Sequence, residues 1–374
     1  MLLKALRLKV ILHILNCGTS SVGRASACQA EGRRFETGVP HQFIKIFFIC
    51  HNSLMKLRFI PLLFLLISCG AGSSSDSNSG DDRSVTPPPN SLISCTKALN
   101  TNVCNFEHKG LERSFYIHAP TNIEQLDKIP LLFVLHGFGS SAERIMGYSN
   151  FQSIADESNF IAIFPQGSPF ETILSSASSH WNSGGWTVGS DVDDVDFINT
   201  IINWVSGEFN IDQERIYSTG MSNGGFMSYH LACNLSSRIA AIASVTGSMT
   251  KQTFEDCDPT HPTPILQIHG AADTTVPYRG NSALGMESIP VSLNYWATFN
   301  ACNPEPIVAV ADFFEESYSI EYWSYENCLN NTQVDLILHS TMGHFWPSMD
   351  SHSISASADI WSFLSKYNIY GLIE

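Results

Sequence analysis

The chain has 374 residues, 44% of them hydrophobic and 15% charged, which excludes a disordered, collagenous or coiled-coil protein and leaves enough apolar surface for a sizeable core. The charge balance is 20 Lys+Arg against 35 Asp+Glu, a formal net charge of −15, so no basic face is available to neutralise a phosphate backbone and nucleic acid is excluded as a partner.

Residues 1–54 differ in composition from the rest, and the stretch at 20–36 is similar to the conceptual translation of a transfer-RNA gene. We read 1–54 as spurious upstream translation and Met55 as the start. Lys56 and Arg58 then precede an apolar run at 59–67, the layout of a secretory signal, and that run is far below the roughly 20 residues that span a bilayer. It ends in Leu66-Ile67-Ser68-Cys69, which resembles the bacterial lipoprotein pattern in which the cysteine is lipidated and becomes the new N-terminus. The expected organisation is a lipoprotein signal peptide at 55–68, lipidation at Cys69, a flexible Ser-, Gly- and Pro-rich tether at 69–92, and one folded domain at 93–374. On this reading the protein is secreted and tied to the cell envelope of a bacterium, with the lipid anchor as its membrane contact.

Six cysteines follow Cys69, an even number that suits an oxidising compartment. Proximity suggests the pairs Cys95–Cys104, Cys233–Cys257 and Cys302–Cys328 among the fifteen possible sets. No Cys-x-x-Cys or Cys/His ligand spacing occurs in this part of the chain, so disulfides are expected and no metal.

Residues 113–118 alternate polar and apolar, the signature of a half-exposed edge strand. Residues 130–135 are continuously apolar and end at His136-Gly137, as a central parallel strand covered on both faces does, and 160–165 repeat the pattern. A helix is predicted over 194–209, with Phe197, Ile198, Ile201, Ile202 and Val205 on one stripe, acidic residues at its start, and Asp193 and Asp194 as capping groups. A calcium site is the lesser reading of those carboxylates. Strands at 215–218, 239–245, 264–268 and 333–338 alternate with helices at 224–231 and 358–367. This order makes an α/β fold with a mostly parallel central sheet and helices on both faces.

Gly220-Met221-Ser222-Asn223-Gly224 follows one of these strands and opens a helix, the context in which Gly-x-Ser-x-Gly is a nucleophile elbow. Ser222 is the expected nucleophile. A serine needs a base, and the base needs a carboxylate that fixes its tautomer. Asp273 stands on the loop after the strand at 264–268, and His344 on the loop after the strand at 333–338, in the order Ser, Asp, His. His352 is a weaker alternative to His344, while His230, His269 and His339 read as structural. Two backbone amides are expected to form the oxyanion hole, one from Asn223 and one from Phe138, with Gly137 next in line.

The set Leu135-His136-Gly137, Gly220 to Gly225, His269-Gly270 with Asp273 and Val276-Pro277-Tyr278, and Gly343-His344 with Trp346-Pro347 resembles the polyhydroxybutyrate depolymerase and feruloyl esterase group of α/β-hydrolases, in order over about 110–366. Val192-Asp193-Asp194-Val195-Asp196-Phe197 is similar to a segment of that group, with Asp196 where many members carry glycine. The resemblance implies the α/β-hydrolase fold and cofactor-independent hydrolysis of carboxylic esters: small aryl esters, decorated polysaccharides or hydroxyalkanoate oligomers. Trp181 and Trp346, with Trp186, are expected to wall the substrate cleft. The alternatives are a prolyl-oligopeptidase-like peptidase and a non-catalytic, lipid-anchored polymer-binding protein.

Overall fold

The computed structural model describes residues 9–10, 93–98, 101–172, 175–187, 190–313, 315 and 317–374, all within one compact unit. The signal peptide, Cys69 and the tether lie outside the described residues, as does all of 1–54 except a two-residue strand, β1 (Lys9–Val10). Among the described residues no helix is long and apolar enough to cross a membrane.

An antiparallel meander comes first: β2 (Ser94–Ala98), β3 (Thr101–His108) and β4 (Leu111–His118). The Cys95–Cys104 disulfide joins two residues directly opposite each other across β2 and β3. Then β5 (Ile129–Leu135) is buried at every position. Because side chains alternate along a strand, Leu131, Phe133 and Leu135 enter the core on one face of the sheet, while Leu132 and Val134 enter the core on the other. Each such side chain contributes roughly 1.5–3 kcal/mol by leaving water.

Helices α1 (Ala142–Ser149) and α2 (Phe151–Ser158) cover the second face and lead to β6 (Ile161–Pro165), parallel to β5. A small hairpin, β7 (Ser168–Thr172) with β8 (Ser175–His180), precedes α3 (Asp194–Glu208), whose predicted stripe packs on the first face. The chain continues through β9 (Ile211–Met221), α4 (Asn223–Asn234), β10 (Ala241–Val245), α5 (Lys251–Glu255), β11 (Ile265–Gly270) and α6 (Ile289–Phe299). The antiparallel pair β12 (Ile307–Phe313) and β13 (Tyr318–Tyr325), then β14 (Val334–His339), α7 (Met349–His352) and α8 (Ala356–Leu364) complete the main body.

The sheet order is β1-β12-β13-β14-β11-β10-β9-β5-β6-β4-β3-β2. Its interior, β14-β11-β10-β9-β5-β6, is parallel, and antiparallel strands cap both edges. The order reverses at β5, which has β6 on one side and β9 on the other, so the connections leaving the carboxyl ends of β5 and β9 run in opposite directions, the point at which open α/β sheets bind ligands. The predicted central strands are all present. The last helix ends at Leu364 rather than 367, because Tyr367 turns back to the sheet: Tyr217 Oη donates to its carbonyl at 2.6 Å and its own hydroxyl donates to Gln333 at 2.9 Å.

The acidic segment before α3 is consumed by cations of the meander. Asp193 caps the helix through the Asp196 N–H at 3.0 Å, as expected. Buried Asp194 receives Arg113 at 2.7 Å, and the guanidinium lies 3.6 Å over the Phe197 ring. Lys109 joins Asp193 at 2.7 Å and Asp196 at 2.9 Å. The exposed pairs are worth little, but removing one partner of the buried pair costs about 3–5 kcal/mol. Among the described residues no group of His, Cys, Asp or Glu is placed to hold a metal ion.

Candidate active site

Ser222 sits in the turn between β9 and α4 at φ 54°, ψ −120°, a conformation that costs a residue with a Cβ about 1–3 kcal/mol. The turn is tied at both sides: the Ser222 N–H donates to Val245 O at 2.8 Å, and the Phe226 N–H donates to Ser222 O at 2.9 Å. Space demands the flanking glycines. A Cβ on Gly224 would stand 2.1 Å from Leu135 O, and one on Gly220 2.5 Å from the Gly224 carbonyl carbon. The motif therefore lets β9, β5 and α4 meet closely enough to project the serine at the sheet's carboxyl end.

Asp273, on the loop after β11, and His344, on the loop after β14, are joined by a 2.7 Å contact between Oδ2 and Nδ1. The other carboxylate oxygen accepts the N–H groups of Thr275 at 2.8 Å and Val276 at 2.9 Å, so the carboxylate cannot turn away. Burial works against its charge, but the hydrogen bonds from His344, Val276 and Thr275 outweigh burial and hold the Asp273 carboxyl below its ordinary value. The ionised Asp273 accepts a hydrogen bond from Nδ1–H, which leaves Nε2 of the part-exposed His344 as an acceptor.

The rival histidines are occupied differently. His269 is fully buried, with its Nε2–H on Val276 O at 2.9 Å and its Nδ1 facing the Gln267 amide at 3.1 Å, and burial lowers its pKa to about 4. His230 bonds Thr253 at 2.8 Å from within α4. His339 accepts the N–H groups of Met342 at 3.0 Å and Thr341 at 3.2 Å, so it shapes the turn that carries His344. His352 ends α7 beside Phe345 and His339.

The loop after β5 lies against Ser222, since a Cβ on Gly137 would be 3.4 Å from Ser222 Cβ. His136 anchors it: Nδ1–H donates to Gly137 O at 2.8 Å while Nε2 accepts the Gly167 N–H at 2.9 Å, and burial lowers the pKa to about 4, keeping the ring neutral. Gly139 N–H donates to Ser179 O at 2.8 Å. Phe138 is 42% exposed on this loop, and Asn223, at the first turn of α4, is buried.

The two tryptophans separate. Trp181 has no exposed surface; its indole N–H donates to His136 O at 2.9 Å, and the Asn223 side chain takes its N–H at 2.7 Å and its carbonyl at 3.0 Å. A ring wholly enclosed by its own protein cannot face a ligand, so the expectation that Trp181 lines the cleft is corrected: it fastens the elbow to the loop after β5. Trp346 is half-buried, with its indole N–H on Ser357 at 3.1 Å and its ring beside Tyr148 and Phe151. The side chain of Trp186 lies outside the described residues. Tyr148 was not singled out by the sequence, because a tyrosine within a helix carries no motif. The disulfides Cys95–Cys104, Cys233–Cys257 and Cys302–Cys328 are all formed, away from these loops.

Residues 122–289 match the model of a family described as phospholipase/carboxylesterase. A bifunctional acetylxylan esterase/xylanase of Neocallimastix patriciarum is 24% identical over 266 residues, which cover 71% of this chain and 35% of that protein. Feruloyl esterase B of Piromyces equi is 31% identical over 171 residues, 42% of this chain and 31% of that protein. The chain thus spans about a third of the length of these two curated relatives. Among solved structures, an acetyl xylan esterase from Aspergillus awamori is similar at 15% identity and a TM-score of 0.44, over 66% of this chain and 94% of its own. The parallel sheet with its switch of strand order at β5 and the serine elbow after β9 give the chain the α/β-hydrolase fold, and over residues 122–289 it is similar to the phospholipase/carboxylesterase family.

Proposed function

We propose that the protein is a serine carboxylesterase acting on feruloyl, acetyl or related esters of the kind its relatives are named for, through an acyl-enzyme. Ser222 attacks the ester carbonyl, and His344 takes its proton and returns it to the departing alcohol. Asp273 holds the imidazole and stabilises it when charged. The N–H groups of Asn223 and Phe138 receive the oxyanion, each worth roughly a hundredfold in turnover. Water then repeats the sequence on the acyl-enzyme and releases the acid. The 2.7 Å Asp273–His344 contact on two loops of the face that bears the strained serine is the observation that carries this reading. The three disulfides support a site of action in an oxidising compartment, with residues 93–374 as the catalytic domain and Cys69 as its lipid anchor.

The test is labelling with a fluorophosphonate together with hydrolysis of methyl ferulate, acetylated xylan, p-nitrophenyl esters and hydroxybutyrate oligomers, for the wild type and Ser222→Ala. Labelling and turnover that both vanish in the folded variant support the proposal; a wild type that neither reacts nor hydrolyses any of the four overturns it.

A further inference from the structure

Tyr148, near the end of α1, touches both halves of the site. Its hydroxyl donates to Met221 Sδ at 3.5 Å, and Met221 immediately precedes Ser222. Its ring centre is 5.9 Å from that of Trp346, two residues beyond His344. Yet Tyr148 is 43% exposed, and Ser222 and His344 are both part-exposed. Trp346, by contrast, is braced from behind by the edge of Phe151 at 6.2 Å and by Ser357. The tryptophan is therefore the support and the tyrosine the presented surface.

We propose that Tyr148 is a specificity-determining residue that stacks against a ring on the acyl side of the ester; this rests on the carboxylesterase reading. Its hydroxyl on Met221 ties Tyr148 to the residue before Ser222, which holds the acyl carbon through both half-reactions. The thioether is a weak acceptor, so the hydroxyl can exchange it for a polar group of the substrate at small cost. Phe138 and Phe345 are likewise 42% and 56% exposed, on the loops after β5 and β14. An offset or edge-on aromatic contact of this kind discriminates by roughly two- to tenfold beyond plain area burial. An acetyl group is too short to collect it.

The experiment compares wild type, Tyr148→Phe and Tyr148→Leu on methyl ferulate, phenyl acetate and ethyl acetate, with active sites counted by fluorophosphonate titration so that a misfolded fraction is not scored as lost activity. The expected result is a fall of roughly three- to tenfold in the ferulate-to-ethyl acetate ratio of kcat/KM for Tyr148→Leu, carried mainly by KM. Tyr148→Phe should keep the ratio within about threefold, and the phenyl acetate ratio should barely move, because there the ring departs with the alcohol. A ratio unchanged in Tyr148→Leu, an equal loss on all three esters, or a larger effect on phenyl acetate overturns the assignment while leaving the esterase reading intact. A wild type that hydrolyses none of the three and takes no label overturns both.

Discussion

Replacing Asp273 by asparagine tests the proposed mechanism with one altered atom. The native Oδ1 accepts two backbone N–H groups, from Thr275 and Val276, and Oδ2 meets His344 Nδ1 at 2.7 Å. An amide has one carbonyl to offer. If that oxygen faced His344, two buried N–H groups would confront an NH2 and go unsatisfied, at about 1–3 kcal/mol each. The favoured orientation therefore keeps the oxygen on Thr275 and Val276 and turns the NH2 toward His344. Nδ1 must then accept rather than donate, the imidazole proton moves to Nε2, and the nitrogen that should take the serine proton is already protonated. An equivalent wrong-tautomer substitution in a serine hydrolase costs about 10⁴-fold in turnover, or about 5.5 kcal/mol of barrier. The fold should survive, because the loop's own hydrogen bonds persist. The assay is kcat on p-nitrophenyl acetate, normalised to folded protein by thermal melting. A folded Asp273→Asn variant within about tenfold of wild type would refute the assignment of His344 as the base oriented by Asp273.

His344→Ala should lower turnover nearly as far as Ser222→Ala, since residues of a triad act as a unit, whereas His352→Ala should be mild; reversed results on the same ester would move the base to α7. Reduction should destabilise the domain by about 2–4 kcal/mol per bridge, read as the denaturation midpoint with and without reductant, and six thiols counted in unreduced, denatured protein from an oxidising compartment would contradict it. Acid should destabilise the fold before the ordinary carboxylates titrate, although buried Asp335, raised to about 6, offsets part of the effect by taking up a proton in the folded state. His136 and His269 are held neutral, with pKa values near 4 against an ordinary 6.5, so between those limits the folded state binds fewer protons than the unfolded one. Stability present above pH 6.5 is then lost as pH falls toward 4, by about 3 kcal/mol for each of these two buried histidines, and equal urea midpoints at pH 7 and pH 4.5 would refute this.

What was legible in the sequence was what local chemistry determines. A strand apolar at every position, such as Ile129–Leu135, has to be covered on both faces, and a glycine-flanked serine between strand and helix has to be a strained turn, because only hydrogen atoms fit where Gly224 meets Leu135 O. The order of Ser222, Asp273 and His344 along the chain follows from the loops at the carboxyl ends of successive parallel strands. The outer pair β12 and β13 was not read from the sequence: Ile307 to Ala311 is an unbroken apolar run, but with Ile307 half exposed the strand is placed by its antiparallel pairing with β13 rather than by being covered on both faces. Neither was the fate of the tryptophans. Trp181 is claimed by His136, 45 positions earlier, and by Asn223, 42 positions later, and Tyr148 gains its place only through Met221, 73 positions away. Whether an aromatic ring is enclosed or presented depends on partners that folding alone brings together, so composition and spacing nominate the rings while the tertiary structure decides which of them a substrate can touch.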